Sequence, residues 1–312
     1  MYSSLKSMEK RSNSHGLHAF GLYLSLCLGL TACTSTAPAL DAGLAAKAPS
    51  TNPAEVGEYI PLSGYLRGYL SVADHPNSLT LLPPPPVDGS PAQLADKAQF
   101  EASKSLRQGV RGKMAFDDNN LKFPAAASVF SCALNLPISE EATPHINMLL
   151  RRTLVDAGLA TYKAKSHYQR TRPFAAFKET TCAPNEDAKL SKDGAYPSGH
   201  AALGWAWALV LSEVAPDRAD AILQRGHAFG QSRVICGAHW QSDVDAGRLV
   251  GSAAVAKQHA NALFLAQMAA AKIELVQARE KFAQYVREPA YLARCGAEAG
   301  AIASERTAEK NN

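Results

Sequence analysis

The sequence lacks the marks of several large protein classes. It has no Cys-x-x-Cys pair, which argues against a zinc ribbon or a thioredoxin-type motif. It has no block of five or more Lys and Arg, and its net charge is only +4, so nothing suggests a nucleic-acid partner. After Leu30 no apolar stretch approaches the length of a membrane span. Alternating β-branched runs are few, which removes the usual signature of a sheet. What remains is ordinary globular composition, 46% hydrophobic and 19% charged over 312 residues, enough for one large domain or two small ones.

The N-terminus reads as an export signal. Lys6, Lys10 and Arg11 precede a short apolar core, Ala19 to Leu30, and Leu30-Thr31-Ala32-Cys33 then matches the lipobox of bacterial lipoprotein signals. The expectation is a signal over residues 1–33, a lipid on Cys33, and a periplasmic protein anchored to the outer membrane. Cleavage after Ala37 would instead give a free periplasmic protein. Four later cysteines, Cys132, Cys182, Cys236 and Cys295, allow two disulfides in three connectivities, or four buried thiols.

Residues 34–54 are rich in Ala, Thr, Ser and Pro and read as a flexible tether, within an N-terminal extension that runs to residue 76. Tyr59, Tyr65 and Tyr69 are expected to pack on the main domain. Pro83 to Pro86 must be extended, because four consecutive prolines fix φ and lack donors; a rigid strap lying over the domain is expected. From Ala92 onward helical periodicity dominates. Helices are expected over Pro91 to Arg111, Asn119 to Ala133, Thr143 to Tyr168, His200 to Val214, Pro216 to Gln231, and Gln241 through Tyr285. The fold class is all-α: a helical bundle over residues 77–288, with the site at the ends of core helices. Residues 289–312 are expected to be a loose tail unless Cys295 pins them.

Three blocks carry chemistry. Lys165 and Arg172-Pro173 place two cations seven residues apart, nearly two helical turns, and the proline frees Arg172 to leave the helix. Pro197-Ser198-Gly199-His200 is a turn at a helix start, where Ser198 suits the N-cap and free N–H groups favour an anion. Ser232-Arg233, His239 and Asp243 form the third block. His239 and Asp243 are four residues apart, so on a helix they would share a face and hydrogen-bond. Taken singly, each residue is as well explained by a solvated surface cation, a packed histidine or a helix-end carboxylate. Together, three cations, a donor-rich turn, two histidines and a carboxylate make the inventory that phosphoryl transfer needs.

In this order, K-x6-RP, PSGH and SR-x5-H-x3-D resemble the signature of the type-2 phosphatidic-acid phosphatase superfamily. Leu81–Pro86, Leu190–Tyr196 and Gly230–Gly237 carry a closer resemblance to the bacterial class A non-specific acid phosphatases, from about residue 77 to 284. The resemblance implies a helical bundle that hydrolyses small-molecule phosphate monoesters with no metal or cofactor. It implies His239 as the nucleophile, forming a phosphohistidine, Asp243 as the group that holds it, and His200 as acid and then base. Lys165, Arg172, Ser198, Gly199 and Arg233 would bind the phosphate oxygens, and the chain would form homo-oligomers. Ala195 and Ala201 stand where relatives usually carry a hydroxyl. The alternatives are a vanadate-dependent haloperoxidase, which shares the blocks, a lipid phosphatase, disfavoured by the missing spans, and a non-catalytic anion-binding surface lipoprotein.

Overall fold

The computed structural model describes residues 48–310. The export signal and Cys33 lie outside the described residues, as does most of the tether. The fold is all-α, and among the described residues the extended pairing is a single antiparallel bridge, Glu58 to Leu66. The main helices are α1 (Pro91–Ser103), α2 (Val110–Asp117), α3 (Pro144–Ala160), α4 (Tyr162–Tyr168), α5 (Pro173–Phe177), α6 (Gly199–Val214), α7 (Ala219–Ile235), α8 (Gln241–Gln258), α9 (Ala262–Lys281) and α10 (Pro289–Lys310). Among the described residues no helix is long and apolar enough to cross a membrane.

Helix α6 is apolar on nearly every face, which is the composition of a central helix. It is packed by α3, α7 and α8. Trp207 is fully buried there, donating its indole N–H to the Leu150 carbonyl at 2.8 Å and meeting Phe130 and Phe229 edge-on. Helix α8 lies unusually close to α6. A Cβ on Gly247 would fall 2.5 Å from the Ser198 carbonyl oxygen, and one on Gly251 would overlap the Ala202 carbonyl, so only glycine permits this approach.

Several expected helices are shorter than their periodicity suggested. The helix beginning at Pro144 stops at Ala160, and α4 restarts at Tyr162. Thr143 does precede Pro144, but its hydroxyl donates back to the Pro137 carbonyl. The orphan N–H groups of His145 and Ile146 are taken by the Glu274 carboxylate of α9, at 2.9 and 2.8 Å. The run expected from Gln241 to Tyr285 breaks after Gln258, because the Asn261 side chain accepts from Phe264 N and starts α9 afresh. Asn119 to Ala133 is a turn, a 3-10 segment (Ala125–Phe130) and one helical turn (Ser131–Leu134).

Both disulfides form: Cys132–Cys295, with Cα atoms 5.3 Å apart, and Cys182–Cys236, at 4.8 Å. The first pins the C-terminal segment, which is helix α10 rather than a loose tail. At the other end no break appears at residue 77. Asp156 of α3, fully buried, accepts from the backbone N–H of Tyr69 and Leu70. Arg152 donates to the Arg67 and Gly68 carbonyls and covers the Tyr69 ring at 4.1 Å. Pro83 to Pro86 lie outside any helix, and the Tyr196 hydroxyl donates to the Pro83 carbonyl at 2.8 Å, tying the proline run to the Pro197–His200 turn.

Candidate active site

One pocket of about 410 Å³ is lined by residues of all three sequence blocks. Lys165, Arg172, Gly199, His200, Arg233 and His239 line it; Ser198 and Asp243 stand just behind. The elements explain this convergence. Lys165 is in α4, and Arg172 follows it in extended conformation as the N-cap of α5, freed by Pro173. Arg233 is in the last turn of α7, and the chain then reverses so that His239 precedes α8. Helix α6 brings its N-terminus to the same point. The Ser198 hydroxyl accepts from Ala201 N at 3.3 Å, and its backbone N–H donates to the Asp243 carbonyl at 2.8 Å. Ser198 therefore holds the turn, while Gly199, which carries one of the N–H groups a helix leaves unpaired, faces the pocket.

His239 and Asp243 meet, though not as neighbours on one helix face. His239 lies ahead of α8, and Asp243 is in its first turn, where its carboxylate also accepts from Trp240 N at 2.8 Å. His239 Nδ1 sits 3.4 Å from Asp243 Oδ2, while Nε2 lies 2.9 Å from Nη1 of Arg172. A guanidinium N–H can only donate. Nε2 thus carries its lone pair, and the ring proton is on Nδ1, facing the carboxylate.

Charge in the pocket is unbalanced. Arg172 donates to the Asp193 carboxylate at 3.0 Å and to backbone carbonyls of Asp193 and Ala238. Lys165 Nζ donates to the Gly194 carbonyl at 2.6 Å and lies 3.7 Å from Asp193. Arg233 donates to the Asn119 side chain at 2.7 Å, and its Nε has no hydrogen-bond partner. Burial pulls Lys165 down to about 8 and Arg233 down to about 9, in each case helped by the nearby Arg172. Both histidines are held well below their ordinary value of 6.5, by burial and then by the arginines. Both rings are therefore biased towards the neutral form in the open pocket. Burial raises Asp243 to about 6 against the opposing pull of Arg170.

Sequence reasoning missed three residues here. Arg170 donates to Asp243 Oδ1 at 2.6 Å and to Asp96 Oδ2 at 2.8 Å, clamping the carboxylate from behind. Asp193 bridges two of the cations. The Asn119 carbonyl lies 3.3 Å from His200 Nε2 while its side chain receives Arg233. Arg170 had a visible signal, standing two residues before Arg172; Asn119, far from every motif, had none.

Residues 146–265 match the PAP2 superfamily. Over 68% of this chain and 86% of the relative, the sequence is 49% identical to a non-specific acid phosphatase of Providencia stuartii. The chain belongs to the class A acid phosphatases of the PAP2 superfamily. A non-specific acid phosphatase of Salmonella typhimurium is 43% identical over 64% of this phosphatase and 80% of the relative. An acid phosphatase of Zymomonas mobilis is 38% identical over 66% and 78%. As an acid phosphatase the chain hydrolyses phosphate monoesters, and the non-catalytic reading falls away. The departures at Ala195 and Ala201 face the interior: both are fully buried, Ala195 with Phe100 and Trp240, Ala201 with Val234 and Val244.

Proposed function

We propose that this phosphatase works through a phosphohistidine on His239, without a metal. The observation that carries the reading is the placing of the His239 ring, with Nδ1 towards Asp243 and the Nε2 lone pair beside Arg172. Nε2 attacks phosphorus and the P–O bond to the alcohol breaks. His200 gives a proton to the departing oxygen. Water, deprotonated by His200, then attacks the phosphohistidine and releases phosphate. Asp243, clamped by Arg170, stabilises the positive charge that develops on His239.

Lys165, Arg172, Arg233 and the Gly199 N–H hold the equatorial oxygens, with Ser198 fixing the turn that presents that N–H. The same cations support metal independence. The nearby carboxylates are already engaged, Asp193 by Arg172 and Asp243 by Arg170, and three positive groups would repel a metal ion. His200 is neutral in the open pocket. A phosphate dianion offsets the cations that depress it, so it gains its proton as substrate binds. Periplasmic location with a lipid on Cys33 is part of the proposal; two disulfides fit an oxidising compartment.

The test is to mix the purified protein with p-nitrophenyl phosphate in excess chelator, quench in alkali and map the phosphorylated residue by mass spectrometry. A label on His239 is expected. A label elsewhere, or turnover that needs added metal, overturns the reading.

A further inference from the structure

We infer that the outer half of the pocket is a subsite for an aromatic ring on the leaving alcohol, built in equal parts by the segment ahead of the motif-bearing bundle and by the bundle itself. The inference rests on the phosphate-ester reading of the pocket floor. A pocket of about 410 Å³ is far larger than a phosphate group and falls in the range of small-molecule sites. Its floor is polar, but the facing wall is Tyr59, Ile60, Tyr65, Leu121, Leu159 and Tyr162. A phosphate seated on the cations directs its ester oxygen away from them, towards this wall.

The wall is a built structure. Tyr59 N donates to the Tyr65 carbonyl at 2.8 Å and Arg67 N to the Gly57 carbonyl at 2.9 Å, closing a hairpin over residues 57–67. Gly64 N donates to the Glu58 carboxylate at 3.0 Å inside the loop. Lys122 fastens the hairpin to the bundle, donating to the Ser63 carbonyl at 2.9 Å with its ammonium 4.6 Å from the centre of the Tyr65 ring. Asp156 holds the chain immediately downstream.

On this fixed frame, three large side chains remain open around one mouth: Tyr59 is 42% exposed, Ile60 is 56% exposed and Tyr162 is more than a third exposed. Burial raises the pKa of the Tyr65 and Tyr162 hydroxyls, so these two rings stay neutral, and the charged groups that also line the pocket, Lys189 and Asp193, are not part of this tyrosine and aliphatic wall. An aromatic ring laid there loses water from both surfaces and meets tyrosine faces. A glycerol or sugar alcohol would give up hydrogen bonds to water and find apolar carbon in return.

The test compares two non-hydrolysable ligands, phenylphosphonate and methylphosphonate, as competitive inhibitors of the wild type and of a Tyr59→Ser/Ile60→Ser variant. The substituted side chains are exposed, and circular dichroism checks the fold. The wild type is expected to bind phenylphosphonate at least about tenfold more tightly than methylphosphonate, and the variant to lose most of that ratio. The ratio of kcat/KM for phenyl phosphate over glycerol 2-phosphate should fall in parallel. Equal affinities in the wild type, or a ratio unmoved by the substitutions, overturns the subsite. A wild type that binds both phosphonates but turns over no monoester overturns the phosphatase mechanism instead, leaving the inhibitor ratio to judge the wall.

Discussion

The molecule buries arginine in two places with opposite results. At the back, Arg225 pairs with Asp118 and lies 3.6 Å from Glu298, while Arg111 is bound to Glu305 at 2.6 Å and to the Ser232 hydroxyl at 2.9 Å. Carboxylates answer the guanidinium groups, and Arg225 is raised above its ordinary value despite full burial. At the front, Lys165 and Arg172 share Asp193, whose side chain is 41% exposed, Arg233 reaches only the neutral Asn119 side chain, and all three cations are lowered. Buried charge costs free energy unless it is paired. The back cluster is complete and fastens α10 and α2 to α7; the front cluster keeps an excess of positive charge, which on the proposed mechanism a phosphate completes.

The sharpest way to break this comparison is His239→Ala. It should lower kcat by about 10⁴-fold or more while the melting temperature holds, measured by p-nitrophenyl phosphate turnover and thermal unfolding. Next comes a matched pair. Arg225→Leu strands Asp118 and should cost about 3–5 kcal/mol of stability in urea titration. Arg233→Leu should leave stability unchanged or improved, yet weaken phosphate inhibition about 10–100-fold. If both variants behave alike, the distinction between the clusters is wrong.

Asp193→Asn tests the imbalance from the other side. Removing the carboxylate that pairs with Arg172 and Lys165 should tighten inhibition by inorganic phosphate a few-fold, an effect kept small by solvent screening of this group. The smallest effect concerns pH. His200 is lowered in the native state, so below about 6.5 the unfolded chain binds more protons than the folded one, and stability falls as pH falls. Asp243, raised to about 6, works in the opposite direction between its native and unfolded values. His200→Asn removes the histidine contribution, so its melting temperature should drop by a few degrees less than wild type between pH 6.5 and 5.

Much of the front cluster was legible because short spacings carried it: Lys165 with Arg172-Pro173, the Pro197–His200 turn, and Arg233 with His239 and Asp243. Even so, His239 and Asp243 meet for a reason other than the one their spacing suggested. The four-residue spacing of His239 and Asp243 suggested one helix face, whereas a reversal before α8 brings them together. The back cluster was invisible, because Arg111, Asp118, Arg225 and Glu305 are scattered along the chain and each reads as an ordinary surface charge. The cap of α3 and the break after Gln258 were hidden for a related reason: a carboxylate from α9 takes the first N–H groups of α3 and an asparagine starts α9 afresh, and periodicity registers neither. The disulfide connectivity waited on three-dimensional proximity.

The close approach of α8 to α6 has a consequence for how the enzyme tolerates change. The distance between the element that presents His200 and the one that presents Asp243 is set where Gly247 and Gly251 meet backbone. A single methyl group at either position would wedge the two helices apart and move His200 away from Asp243, without touching either side chain. Inheritance of activity in this chain thus depends on two residues that possess no functional group at all, and a survey of damaging substitutions confined to the pocket would overlook them.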